Sequence, residues 1–137
     1  MHNRLMTFAL PALLLGLAAH VPAMAAPTHS LSATFSACTD RARGLAAQKT
    51  CIAQETARQD ARLNAAYAAL GRKLAPAARS RLQVAQRAWL QTRARDGEFV
   101  TSLLGAPPSV NLEGAVMDAQ ALASRADLLE HYLDQLR

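Results

Sequence analysis

Between Cys51 and Trp89 the chain reads Cys51-Ile52-Ala53-Gln54-Glu55, then Asp60-Ala61-Arg62-Leu63-Asn64-Ala65-Ala66-Tyr67, then Leu82-Gln83-Val84-Ala85-Gln86-Arg87-Ala88-Trp89. Apolar residues recur there at three- and four-residue spacing, the period of one face of an α-helix. Ile52, Thr56, Gln59, Leu63, Ala66 and Leu70 form one such stripe. No strand-like alternation is present in this stretch or outside it. The stretch therefore predicts an all-α fold. Its polar and aromatic members are more than a plain bundle requires. They read either as an internal polar network that sets helix register or as a binding face.

Working outward, Thr50 to Leu74 is expected to be one helix, with Thr50 as a plausible cap. Pro76 opens the next helix or closes the linker before it. That helix is expected over residues 77–104, with a stripe of Leu82, Ala85, Trp89, Thr92, Asp96, Phe99 and Leu103. Gly105-Ala-Pro107-Pro108-Ser109 is a break. The last helix is expected over residues 112–136, capped by Ser109 or Asn111. Leu112, Ala115, Ala119, Leu122, Ala126, Leu129, Leu133 and Leu136 keep a near-heptad rhythm along it. A short first helix is expected over residues 31–43, with Ser30 or Ser32 as cap and Gly44 as interruption. The sum is a small antiparallel bundle of three long helices plus a short N-terminal one.

Residues 1–25 read as a signal peptide. Arg4 supplies the positive charge, Leu5 to Ala19 are an apolar run broken by Pro11, and Ala23-Met24-Ala25 is a small-x-small cleavage site. The run is short for a membrane span. No Cys follows the cut, so no lipid anchor is expected. Residues 26–137 are then one exported helical domain, periplasmic or secreted. Its 112 residues include 25 alanines, which favours close helix packing. Export places Cys38 and Cys51 in an oxidising space, where a disulfide is the natural reading. Closing that loop stabilises by roughly 3 kcal/mol in the chain-entropy model.

The formal charge of +5 would suggest nucleic acid in a cytosolic chain, and export argues against that partner. The charge is also segregated. From Arg41 to Arg95 there are twelve Lys or Arg against Glu55 and Asp60. From Asp96 to Leu136 there are seven acids against Arg125 alone. Mutual neutralisation across the bundle is the favoured reading, and a polarised surface that steers a charged partner is the other. No catalytic residue, metal set or cofactor is predicted. His29 and His131 stand alone, no Gly-rich phosphate loop occurs, and Glu55 and Asp60 lie about 140° apart around a helix.

On the second helix Asp60, Asn64 and Tyr67 share a face. On the third, Gln86, Trp89 and Arg93 do. Antiparallel packing predicts that these stripes meet, with Asp60 pairing with Arg87 or Arg93 and Asn64 bonding to Gln86. An unmet buried polar group costs about 1–3 kcal/mol, so such a network would set register. The alternative leaves Tyr67, Trp89 and the arginines partly exposed as a binding hot spot.

Glu55, Asp60-x-x-Leu63-Asn64-x-x-Tyr67-x-x-Leu70 and Leu82-x-x-Ala85-Gln86-Arg87-x-Trp89-x-x-x-Arg93 resemble the signature of the LprI-like lysozyme inhibitor N-terminal domain. Cys51 and Arg125 fit it too, and the likeness spans nearly all of residues 26–137. The resemblance implies an exported helical domain whose named activity is inhibition of lysozyme. The family pattern continues past the Trp as Arg-Asp, then a Cys, with a second Cys before the Arg of the last helix. Here those positions read Arg93-Ala94, Gly97 and Met117, so the second disulfide that the resemblance implies has lost both partners together. The implied partner is a lysozyme-type peptidoglycan hydrolase. An immunity protein against a secreted lysozyme-like toxin is a special case. Two routes are open: the acidic last helix on a cationic lysozyme, or an Arg or Tyr of the basic helices in its acidic groove. A non-catalytic envelope module, binding an anionic polymer or acidic protein through the basic helices, is the alternative.

Overall fold

A computed structural model describes residues 31–107 and 110–137. The signal-peptide reading of residues 1–25, His29 and the Ser30 and Ser109 cap alternatives lie outside them. Four helices follow in order: α1 (Ala33–Arg41), α2 (Gly44–Lys73), α3 (Pro76–Leu104) and α4 (Leu112–Asp134). The described residues contain no strand, and none of their helices is long and apolar enough to cross a membrane.

The helix ends follow local chemistry. The Ser32 hydroxyl accepts from Phe35 N at 3.1 Å and caps α1. Pro76 occupies the first turn of α3, where its missing N–H costs nothing. Gly105 closes α3 with φ +69°, a left-handed conformation that glycine adopts without a Cβ clash. Asn111 Oδ1 accepts from Gly114 N at 3.1 Å and caps α4. One boundary differs from expectation: α2 starts at Gly44, not at Thr50. Gly44 takes φ +81°, which turns the chain from α1 into α2 within two residues. Thr50 is inside the helix, its hydroxyl bonded to Ala46 O at 3.0 Å.

Consecutive long helices run antiparallel, so α2 and α4 run parallel. Arg62 reaches Asp127 and Glu130, and Lys73 Nζ lies 3.5 Å from Leu136 O. The closest helix packing is between α2 and α4, while α3 leans mainly on α4. Composition explains this. Ala119, Ala123 and Ala126 on α4 are fully buried, and such small side chains let two helix axes approach. Leu63, Ala66 and Leu70 of α2 meet Leu122, Ala126 and Leu129 of α4 to form the core. Each buried leucine contributes roughly 2 kcal/mol. Tyr67, Leu82 and Trp89 close over the core from the side.

The disulfide Cys38–Cys51 ties α1 to α2, with a Cα–Cα distance of 5.7 Å. Beside it, Glu55 is fully buried. It accepts from Ser32 N at 2.7 Å, Ser32 Oγ at 2.6 Å and Gln59 Nε2 at 2.7 Å, and pairs with Arg58. Burial pushes the Glu55 carboxyl up. The hydrogen bonds from Ser32, Gln59 and Arg58 together outweigh that and hold it below its ordinary value.

The stripe predicted for α3 is rotated in the structure. Phe99 and Leu103 are 65% and 67% exposed, and Ala85, Thr92 and Asp96 also face outward. The inward face carries Leu82, Gln86, Trp89, Arg93 and Val100. A purely apolar period discounts Gln86 and Arg93, yet both point inward because α4 supplies their partners. On α4 the expected stripe is buried from Ala119 to Leu129, while Leu136 lies exposed past the helix end.

Candidate functional site

The signature residues fall into three groups in space. Glu55 anchors α1, and Leu63 belongs to the core. A second group joins α3 to α4. Arg93 donates from Nε and Nη2 to the two oxygens of Asp118, each at 2.8 Å. Arg125 Nε donates to Gln86 Oε1 at 3.0 Å. Between these contacts lies the Trp89 ring, with Arg93 Cζ 5.9 Å and Arg125 Cζ 5.7 Å from its centroid, both within cation–π range. Burial pushes the Arg125 guanidinium down, partly offset by Tyr132.

The third group is Asp60, Asn64, Tyr67 and Arg87. They do not form the predicted network. Asn64 Nδ2 donates to Asp60 Oδ2 at 3.0 Å along the same helix, and Gln86 bonds to Arg125 instead of Asn64. Arg93 bonds to Asp118 instead of Asp60. Arg87 has no carboxylate partner among the described residues. The reason is that α3 packs on α4 and stands off from α2. The two stripes therefore flank an open groove of about 470 Å³. Asp60, Leu63, Asn64 and Tyr67 form its α2 wall. Gln83, Gln86, Arg87, Trp89, Leu90 and Arg93 form its α3 wall. Gln83 and Leu90 were not singled out from sequence, since neither breaks the helical pattern.

The expected mutual neutralisation of the charge is visible across the bundle. Arg62 Nε donates to Glu130 Oε1 at 2.8 Å, and its Nη2 pairs with both Asp127 and Glu130. The bond to Glu130 raises the Arg62 pKa against the opposing effect of burial, with Asp127 adding to the rise. Arg93 holds Asp118 in the same way. Three of the α4 acids are thus matched internally. Asp118, Asp127 and Glu130 belong, with Glu113 and Asp134, to the acidic last helix that the sequence offers as a docking face, and the structure pairs these three with Arg62 and Arg93 instead. Arg62 does not stand out in the sequence. The segregation of charge was the signal that such pairs exist.

The family model for lysozyme inhibitor LprI matches residues 38–136. The chain belongs to the LprI lysozyme inhibitor family. Neither a curated protein nor a solved structure matches it. The LprI match takes in all of α2, α3 and α4, and so every residue of the groove. In this LprI-family chain the positions of the implied second disulfide, Gly97 and Met117, line one cavity between α3 and α4.

Proposed function

We propose that this protein is exported and inhibits a lysozyme-type peptidoglycan hydrolase through the groove between α2 and α3. The observation that carries the choice of face is the internal pairing of Asp118, Asp127 and Glu130. It leaves the acidic helix little free charge for a cationic enzyme, whereas Arg87 stands at the groove with no carboxylate partner among the described residues. Family membership supports the target class.

The chemistry is direct. Glycoside hydrolases flank the scissile bond with two carboxyl groups, one of which must stay protonated to act as acid. A guanidinium set between them favours the ionised form of both. The acid then loses the proton that it has to donate, and the cleft is blocked. The Tyr67 phenol, half-buried on the facing wall, adds a hydrogen-bonding tip with little entropy to lose on binding.

The test is muramidase turnover with the purified mature protein against several lysozyme classes at two salt concentrations. The expected result is slowing of at least one enzyme, weakened at high salt. Arg87→Glu is expected to weaken inhibition by about tenfold or more, with an unchanged melting temperature because Arg87 is exposed. No slowing at micromolar protein overturns the reading.

A further inference from the structure

The groove does not end at Asp60 and Arg93. Both residues also line a second cavity, of about 590 Å³, that continues toward the start of α2 and the start of α4. Its lining is mostly apolar: Ile52, Ala53, Ala57, Leu112, Ala115 and Leu122. Lys49 stands at its far end. From Lys49 to Tyr67 the α2 wall is about 27 Å long. Two features keep this trough open. Ala53 and Ala57 project no bulk into it. Arg93, which lines the trough as Asp60 does, is held against α4 by Asp118.

The charges along the trough have an order. Lys49 at one end and Arg87 at the other lack carboxylate partners among the described residues. Asp60, in the middle, bonds among the described residues only to the neutral Asn64 amide. An occupant is therefore attracted through carboxylates at its ends and repelled by one at its centre. We propose that the trough docks an extended segment of the target hydrolase, about eight residues long, apolar in the middle and acidic at both ends. This rests on the inhibitor reading and adds the second half of the contact. The acidic end of the segment that meets Arg87 and Tyr67 carries a carboxylate of the catalytic cleft, and the segment's apolar middle and far end are the lip beside that cleft, which is what selects among hydrolases.

The experiment uses the mature protein and a lysozyme that it inhibits. Ala57→Trp fills the apolar half. Ala57 is exposed, so the melting temperature is expected to hold, and Ala53→Arg is a second filling variant. Both are expected to weaken binding and inhibition by about tenfold or more. Lys49→Glu is expected to weaken binding several-fold and to reduce its salt dependence. Phe99→Ser, outside the trough, is expected to change nothing. If the filling variants inhibit as well as the wild type, the trough proposal is overturned while the inhibitor reading stands. If the wild type slows no hydrolase, both fall.

Discussion

Arg93 holds Asp118 through two parallel hydrogen bonds of 2.8 Å, and that choice of partner keeps the α2–α3 groove open. Asp60 lines the same cavity and carries the charge to compete. Asp118 holds Arg93 strongly because a bidentate guanidinium–carboxylate pair combines two charge-assisted N–H···O bonds.

Removing either partner should loosen α3. Arg93→Ala or Asp118→Ala is expected to cost about 1 kcal/mol, the upper end for a partly exposed pair. The double variant should cost less than the sum of the two. Urea unfolding of the four proteins in the cycle measures this, and strict additivity would show that the pair contributes nothing.

Glu55 should matter more. Glu55→Ala strands the buried Gln59 amide and the half-buried Ser32 N, and is expected to cost about 2–3 kcal/mol. The sign of its pH dependence follows from its lowered pKa. Its contribution is present above the ordinary carboxyl value of 4.5 and is lost as pH falls below that, through the folded-state value. Unfolding curves between pH 7 and pH 3 should show that loss in the wild type and a shallower one in Glu55→Gln.

The two signature residues Asn64 and Trp89 should separate. Asn64 is exposed, and among the described residues its side chain bonds only to Asp60, so Asn64→Ala is expected to change stability by less than about 0.5 kcal/mol. Trp89 packs on the core beneath two guanidinium groups, and Trp89→Ala is expected to cost about 3 kcal/mol. Thermal melts check both. If Asn64→Ala nonetheless weakens inhibition, the loss belongs to the groove surface.

The disulfide and its absent counterpart make a pair of tests. Replacing Cys38 and Cys51 with serine is expected to cost about 3 kcal/mol and to free α1, seen as faster amide exchange over residues 33–41. Conversely, Gly97→Cys with Met117→Cys is expected to form a new bridge on oxidation and to raise the melting temperature. A Cβ at Gly97 meets nothing within 4 Å, so the new side chain fits without a clash, and Met117 lines the same cavity. The bridge closes with its Cβ atoms at the long end of the usual range of about 3.5–4.5 Å, or after a small inward shift of α3. Two free thiols after oxidation would refute this.

Much of the fold was legible in the chain by itself. The three-four spacing from Ile52 to Leu70, the breaks at Gly44, Pro76 and Gly105, and the paired cysteines determine four helices and one bridge, because these are effects of neighbouring residues. The signature places the chain in its family. What the sequence reading assigns differently from the structure is which helix α3 faces: it expects the α3 stripe to meet α2, and Gln86 and Arg93 bond to α4 instead. Periodicity marks an apolar face but not its partner, and it assigned Phe99 and Leu103 inward where they are exposed. Only the tertiary structure decided that. The fully buried alanines of α4 draw α2 close, and α4 also carries the carboxylate and the guanidinium that Arg93 and Gln86 bond to. The same packing turns Asp60, Asn64, Tyr67 and Arg87 from an expected network into the walls of a groove.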